Sequence, residues 1–140
     1  MRPPMLAIGI ILLSILGCQQ RNLESAPVKT KEQEIRLAPG ESHTLSAGGV
    51  SFTFLEVASD SRCPRGATCV WEGDAAVVVG LHHIEISRID TLHTTLKPHS
   101  LNWVGYTITL KQLDPYPVKG ETIDPRNYVA TFTVTTGKNK

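Results

Sequence analysis

The most constraining feature of this chain is a repeated alternation of apolar and polar residues in short runs, each closed by a turn cluster. Tyr128, Ala130, Phe132 and Val134 fall on one side of a strand, with Val129, Thr131, Thr133 and Thr135 on the other. Val104, Tyr106, Ile108 and Leu110 repeat the pattern, and Val50, Phe52 and Phe54 do so again before Leu55 and Val57 change side. A period of two is the signature of a β-strand with one buried face, and a change of side within it predicts a bulge. Ala75 to Val79 is instead continuously apolar and rich in valine, as expected of a fully buried central strand. Ile84 and Ile86 read as a further strand, and "EIRL-APGES-HTL" as a strand, a Pro-Gly turn and a return strand. About seven strands separated by Gly, Pro, Asp and Asn clusters, with no helical period, predict an all-β fold. The expected architecture is a single antiparallel β-sandwich, immunoglobulin-like by preference, or a small barrel.

The N-terminus follows a different logic. Arg2 precedes an apolar run from Met5 to Leu16. At about 12 residues it is shorter than the roughly 17–25 needed to span a bilayer as a helix, and it has the length of a signal-peptide core. Ile15-Leu16-Gly17-Cys18 closes it. This segment resembles the lipobox of bacterial lipoproteins. The resemblance implies cleavage after Gly17, a diacylglyceryl thioether on Cys18 and a membrane-held protein of the bacterial cell envelope. Gln19, being other than Asp, fits the outer membrane in a cell with two membranes. The covalent lipid is the only prosthetic group expected, and no cofactor is. The expected organisation is a signal peptide over 1–17 and a lipidated cysteine with flexible linker over 18–33. A β-sandwich domain over 34–136 and a disordered tail over 137–140 complete it. The linker "QQRNLESAPVKTKEQ" is polar and carries no apolar face, so it cannot fold alone.

Charge excludes one class of partner. Of the 14 Lys and Arg only Arg2 lies in the leader, leaving 13 basic residues against 13 acidic ones, without a run of either sign. A nucleic-acid binder needs a concentrated basic surface, so no nucleic-acid partner is expected.

With Cys18 committed to lipid, Cys63 and Cys69 remain as a pair in an oxidising compartment. Their spacing is not the C-x-x-C of a redox site, and two cysteines without a nearby histidine do not make a structural zinc site. They are expected to form a disulfide closing a small surface loop, with Pro64 and Gly66 turning the chain and Trp71 opening the next strand. The stretch "DSRCPRGATCVWEGDAAV", Asp60 to Val77, resembles a recurring signature of small exported or lipid-anchored bacterial β proteins, of the form R-C-P-x-G-x-x-C-x-W-x-G. The likeness extends to "GYTITLKQLDPYP" and "NYVATFTV" and so covers about residues 34–136. It implies fold and location and carries no activity.

Other residues bear on function. His82, His83, His93 and His99 are the metal-ligand candidates, although neighbours on a strand point to opposite faces, so His82 and His83 cannot share one ion undistorted. Tyr116, held between two prolines in a long connection, and Trp71 are the candidate partner contacts. No nucleophile elbow, zincin motif or carboxylate pair appears, so catalytic residues are not expected. The reading is a lipid-anchored envelope protein that binds an unidentified protein or ligand, or serves a structural role, without catalysis. Two alternatives stand beside it. One is an exported hydrolase inhibitor, for which "NWVGY" faintly echoes a known inhibitor loop; the other is a periplasmic metal-handling protein using the histidines.

Overall fold

The computed structural model describes residues 31–45 and 49–136. The segments expected to be a signal peptide and a tail, Cys18 and most of the expected linker lie outside the described residues. Eight strands form two four-stranded antiparallel sheets. In one, β2 (Ser42–Thr44), β3 (Val50–Asp60), β4 (Ala75–His83) and β5 (Ile86–His93) lie in sequence order. In the other, β6 (Ser100–Trp103), β7 (Tyr106–Asp114) and β8 (Val129–Thr136) follow one another, and β1 (Glu32–Leu37) pairs with the far side of β8. The protein is therefore a β-sandwich.

The apolar stripes meet between the sheets. Phe52 and Phe54 from β3 face Phe132 from β8, with ring centroids 5.2 and 6.3 Å apart in edge-on arrangements, a geometry that aromatic quadrupoles favour. Val77, Val79, Leu81, Leu92 and Ile108 fill the space around them. The β3 bulge falls where the apolar stripe changes side: register slips between Phe54 and Glu56 and again between Val57 and Ser59.

Several expectations are corrected. The strand order is a meander closed by β1, without the crossed connections of an immunoglobulin-like sandwich; alternation sets the faces of strands but not their neighbours. The Pro39-Gly40 turn does not fold β1 back on itself, since β1 pairs with β8 and β2 with β3. Ile84 is not in a strand but in the two-residue turn between His83 and Ile86, and both isoleucines are exposed. Val104 likewise sits with Gly105 in the tight turn of the β6–β7 hairpin, and β6, with only Leu101 and Trp103 to signal it, makes eight strands rather than seven. The first strand also begins at Glu32, two residues ahead of the expected start of the domain.

The strand directions give the sandwich two unlike ends. The 84–85 and 104–105 turns share one, where the Trp103 Nε1 donates to the His82 carbonyl at 3.4 Å and Arg88 lies over the indole at 5.4 Å. Glu32 pairs with Thr135, and Tyr106 with Thr136, so the chain enters the domain at this same end. The other end carries the cysteine loop and the 94–99 and 115–128 connections.

Candidate functional site

The end that carries the cysteine loop is built from three connections that lock one another. The loop continues the β3–β4 ladder past the strands: Ser61 N donates to Asp74 O at 2.7 Å and Cys63 N to Glu72 O at 2.8 Å. Gly73 sits inside this narrow ribbon at φ +75°, where a Cβ would strike the Ser61 carbonyl and lie 2.7 Å from Arg62 Cα. The Cys63–Cys69 disulfide closes the tip, with Cα atoms 6.0 Å apart.

Arg62 ties the loop to the next connection. Its guanidinium donates to both oxygens of Asp60, to Leu113 O at 2.6 Å and to Pro115 O at 3.0 Å. Tyr128 Oη donates to Asp60 Oδ2 at 3.0 Å. Burial pushes the Asp60 carboxyl up, but the Arg62 hydrogen bonds and charge, with Tyr128 adding to them, hold it below the ordinary carboxylate value. The Tyr128 hydroxyl is pushed up, first by burial and then by the Asp60 carboxylate it bonds. Backbone bonds complete the seam, Arg65 N to Pro117 O at 2.9 Å and Lys119 N to Arg65 O at 3.0 Å. The two motifs "DSRCPRG" and "DPYP" are thus stitched together along their backbones.

Asp74 fastens the third connection. His93 Nδ1 donates to its Oδ2 at 2.7 Å, and the amides of Thr95 and Leu96 donate to its Oδ1 at 2.9 and 3.1 Å. Burial raises this carboxyl and those hydrogen bonds outweigh it, leaving Asp74 below its usual value. His99 Nδ1 donates to His93 O at 2.9 Å, and Ala75 N to Thr94 Oγ1 at 2.8 Å.

An open cleft of about 420 Å³ lies among these connections, with Arg65, Lys111, Glu72, Asp114, Tyr116 and Thr94 on its walls. Lys111 is the unpaired residue at a slip in the β7–β8 register between Leu110 and Gln112, and bulges of this kind re-aim a side chain. Neither Arg65 nor Lys111 forms an ion pair among the described residues. The Tyr116 ring has Arg62 at 5.0 Å and Arg65 at 5.4 Å from its centroid, so it packs back on the domain as a wall. Trp71 does not open a strand, because β4 begins at Ala75. It stands 51% exposed beside a fully exposed Val70.

The histidines divide between the two ends. His93 pairs with Ala76 and His82 with Ser87 across the β4–β5 hairpin. The two sites are about six residues apart along β4, roughly 20 Å at about 3.3 Å per residue. His82 Nδ1 is engaged with Ser87 Oγ at 3.0 Å, and His93 and His99 are engaged as above. Among the described residues no three His, Cys, Asp or Glu side chains form a metal-binding group. The structure therefore does not bring together the donor set of the metal-handling reading. "NWVGY" is the β6–β7 hairpin, at the end opposite the cysteine loop. Cys18 lies outside the described residues.

Sequence reasoning did not single out Arg62, Asp60 or Asp74, the three residues that organise this end. Compared with models of protein families, with curated proteins and with solved structures, the chain matches none.

Proposed function

We propose that this chain is a lipid-anchored protein of the bacterial cell envelope, a non-catalytic module that binds a protein partner through the cysteine-loop end. The observation that carries the binding reading is the exposed Val70–Trp71 pair on a loop locked by Arg62 and the disulfide, next to an open cleft. Trp, Tyr and Arg dominate binding hot spots, and a contact held rigid before association loses little entropy on binding. Around the cleft, Arg65 and Lys111 stand with Glu72 and Asp114, a mixed surface suited to a peptide or protein of mixed charge rather than to a polyanion. The anchor rests on Ile15-Leu16-Gly17-Cys18.

A photo-crosslinking residue at position 70, in cells making the full chain, tests the binding end. The expected result is one discrete adduct, weakened by Trp71→Ala and by Arg65→Ala. Absence of any adduct from a normally made, envelope-located protein would sink the reading. The inhibitor alternative draws on the same exposed, disulfide-held loop: inhibition of an envelope protease by wild type but not by a Val70→Asp variant would favour it.

A further inference from the structure

The opposite end of the sandwich carries a feature that the binding reading leaves unused. Ile84 is 69% exposed, Ile86 61% and Val104 45%. All three belong to the two hairpin tips joined through Trp103 and His82. Ile84 and Val104 hold φ of 51° and 44°, a region that β-branched residues avoid and that glycine or asparagine would occupy without strain. Exposed aliphatic residues in a strained conformation, on the two tips of one end, serve neither the core nor the hairpin turns.

The entry point of the chain says what covers them. Lys31 and Glu32 lead into β1 at this end, where Lys31 and Tyr106 also flank a small hollow of about 150 Å³. About thirteen residues separate Lys31 from Cys18, and no chain of that length spans more than about 45 Å. A lipid on Cys18 therefore keeps this end within about 45 Å of the bilayer surface, and of the two ends it is the one to which the tether attaches.

We infer that the Ile84, Ile86 and Val104 tips form a second, shallow membrane contact that docks the domain on the leaflet holding its anchor. The inference rests on the lipid at Cys18 proposed above. Interfacial binding grows with buried apolar area, and a short tether makes the second contact intramolecular, at an effective concentration in the millimolar range. Three aliphatic side chains suffice under those terms, though they would not hold a free protein. Glu85 and Arg88 flank the isoleucines and keep the insertion at headgroup depth. Docking also orients the molecule, presenting the cleft and Val70–Trp71 away from the bilayer.

The test uses the full lipidated chain in phosphatidylethanolamine–phosphatidylglycerol vesicles containing brominated lipid, with tryptophan emission as the readout. In a Trp71→Phe background, Ile86→Trp should be quenched and blue-shifted. Native Trp71 should be quenched several-fold less, with Trp103 subtracted through the Trp71→Phe chain. Ile84→Asn with Val104→Asn should abolish the quenching at position 86 while the thermal midpoint holds or rises, a combination that a purely structural role for these residues does not produce. Equal quenching at positions 71 and 86 in a chain that floats with the vesicles overturns the docking alone. A chain that does not float overturns the anchor and the docking with it. Shielding at position 86 without lipid quenching, in a protein that sediments as a dimer, assigns the tips to a second copy and also overturns the proposal.

Discussion

Arg62 and Asp60 meet in a two-point ion pair inside the cysteine-loop end, Nε to Oδ1 at 2.8 Å and Nη2 to Oδ2 at 2.6 Å. The side chains are only 5% and 9% exposed, and the pair also holds Leu113 O, Pro115 O and Tyr128 Oη. Removing one member of such a pair strands the other in a poorly solvated site, at a cost of roughly 3–5 kcal/mol. Arg62→Ala should lower the unfolding free energy by that amount, read as a lower urea midpoint at unchanged m-value. Asp60→Asn should cost less, because the amide still accepts from Arg62. The double variant should fall short of the sum, since both act on one network.

The same network and Asp74 set the pH limits of stability. Asp60 and Asp74 titrate below the ordinary value in the folded protein, which for an unfolded Asp is about 3.9. Their contribution is therefore complete above about pH 4 and is lost as pH falls through their folded values. Tyr128 is displaced the other way; its contribution is complete below about pH 10 and disappears as pH rises through its folded value. Urea midpoints across pH should show an acid limb that Asp74→Asn flattens and an alkaline limb that Tyr128→Phe flattens. An acid limb unchanged by Asp74→Asn would remove Asp74 from this account.

Gly73→Ala should be among the most damaging single-methyl changes in the protein. The added carbon meets backbone, Ser61 O and Arg62 Cα, rather than a side chain that can move, and φ is +75°. Strain and overpacking each cost about 1–3 kcal/mol, so a loss of at least about 2 kcal/mol is expected in chemical unfolding. Gly120→Ala, also at positive φ but with open space around it, serves as the control and should cost less.

These residues show where sequence reading ran out. The Tyr128–Val134 alternation was legible because the period-two pattern is local: Tyr128, Ala130, Phe132 and Val134 all join the core, although Thr131 and Thr133 on the other face of this central strand are buried too. Cys63 and Cys69 were legible because two thiols six positions apart have few other fates. Arg62 and Asp74 were not, because their roles depend on carbonyls more than fifty positions away and amides about twenty positions away. Local pattern carries no record of such partners. At Ile84 the local signal pointed the wrong way: a β-branched residue in an alternating run reads as strand, while the chain reverses there at positive φ.

The disulfide contributes stability by closing a short loop. For a separation of 6, chain entropy gives about 2 kcal/mol. Cys63→Ala with Cys69→Ala should lower stability by about that much and leave far-UV circular dichroism unchanged, because the ladder between residues 61–63 and 72–74 and the Arg62 contacts persist. Loss of the fold itself would mean that the loop nucleates this end rather than trimming it.

The hairpin tips allow the opposite kind of change. A β-branched residue at positive φ carries strain of order 1–3 kcal/mol, and asparagine tolerates that region far better. Ile84 and Val104 are both exposed, so little apolar burial is surrendered in replacing them. Ile84→Asn and Val104→Asn should each raise stability by about 0.5–1 kcal/mol, a part of the strain in each case. Val104→Asn is the cleaner test, because Asn-Gly is the preferred pair for a two-residue hairpin with positive φ at both positions, and Gly105 already stands at φ 79°. Thermal or urea unfolding of the two single variants measures this directly. A destabilised Val104→Asn would show that the valine packs in the folded state, and would return the tip to a structural role.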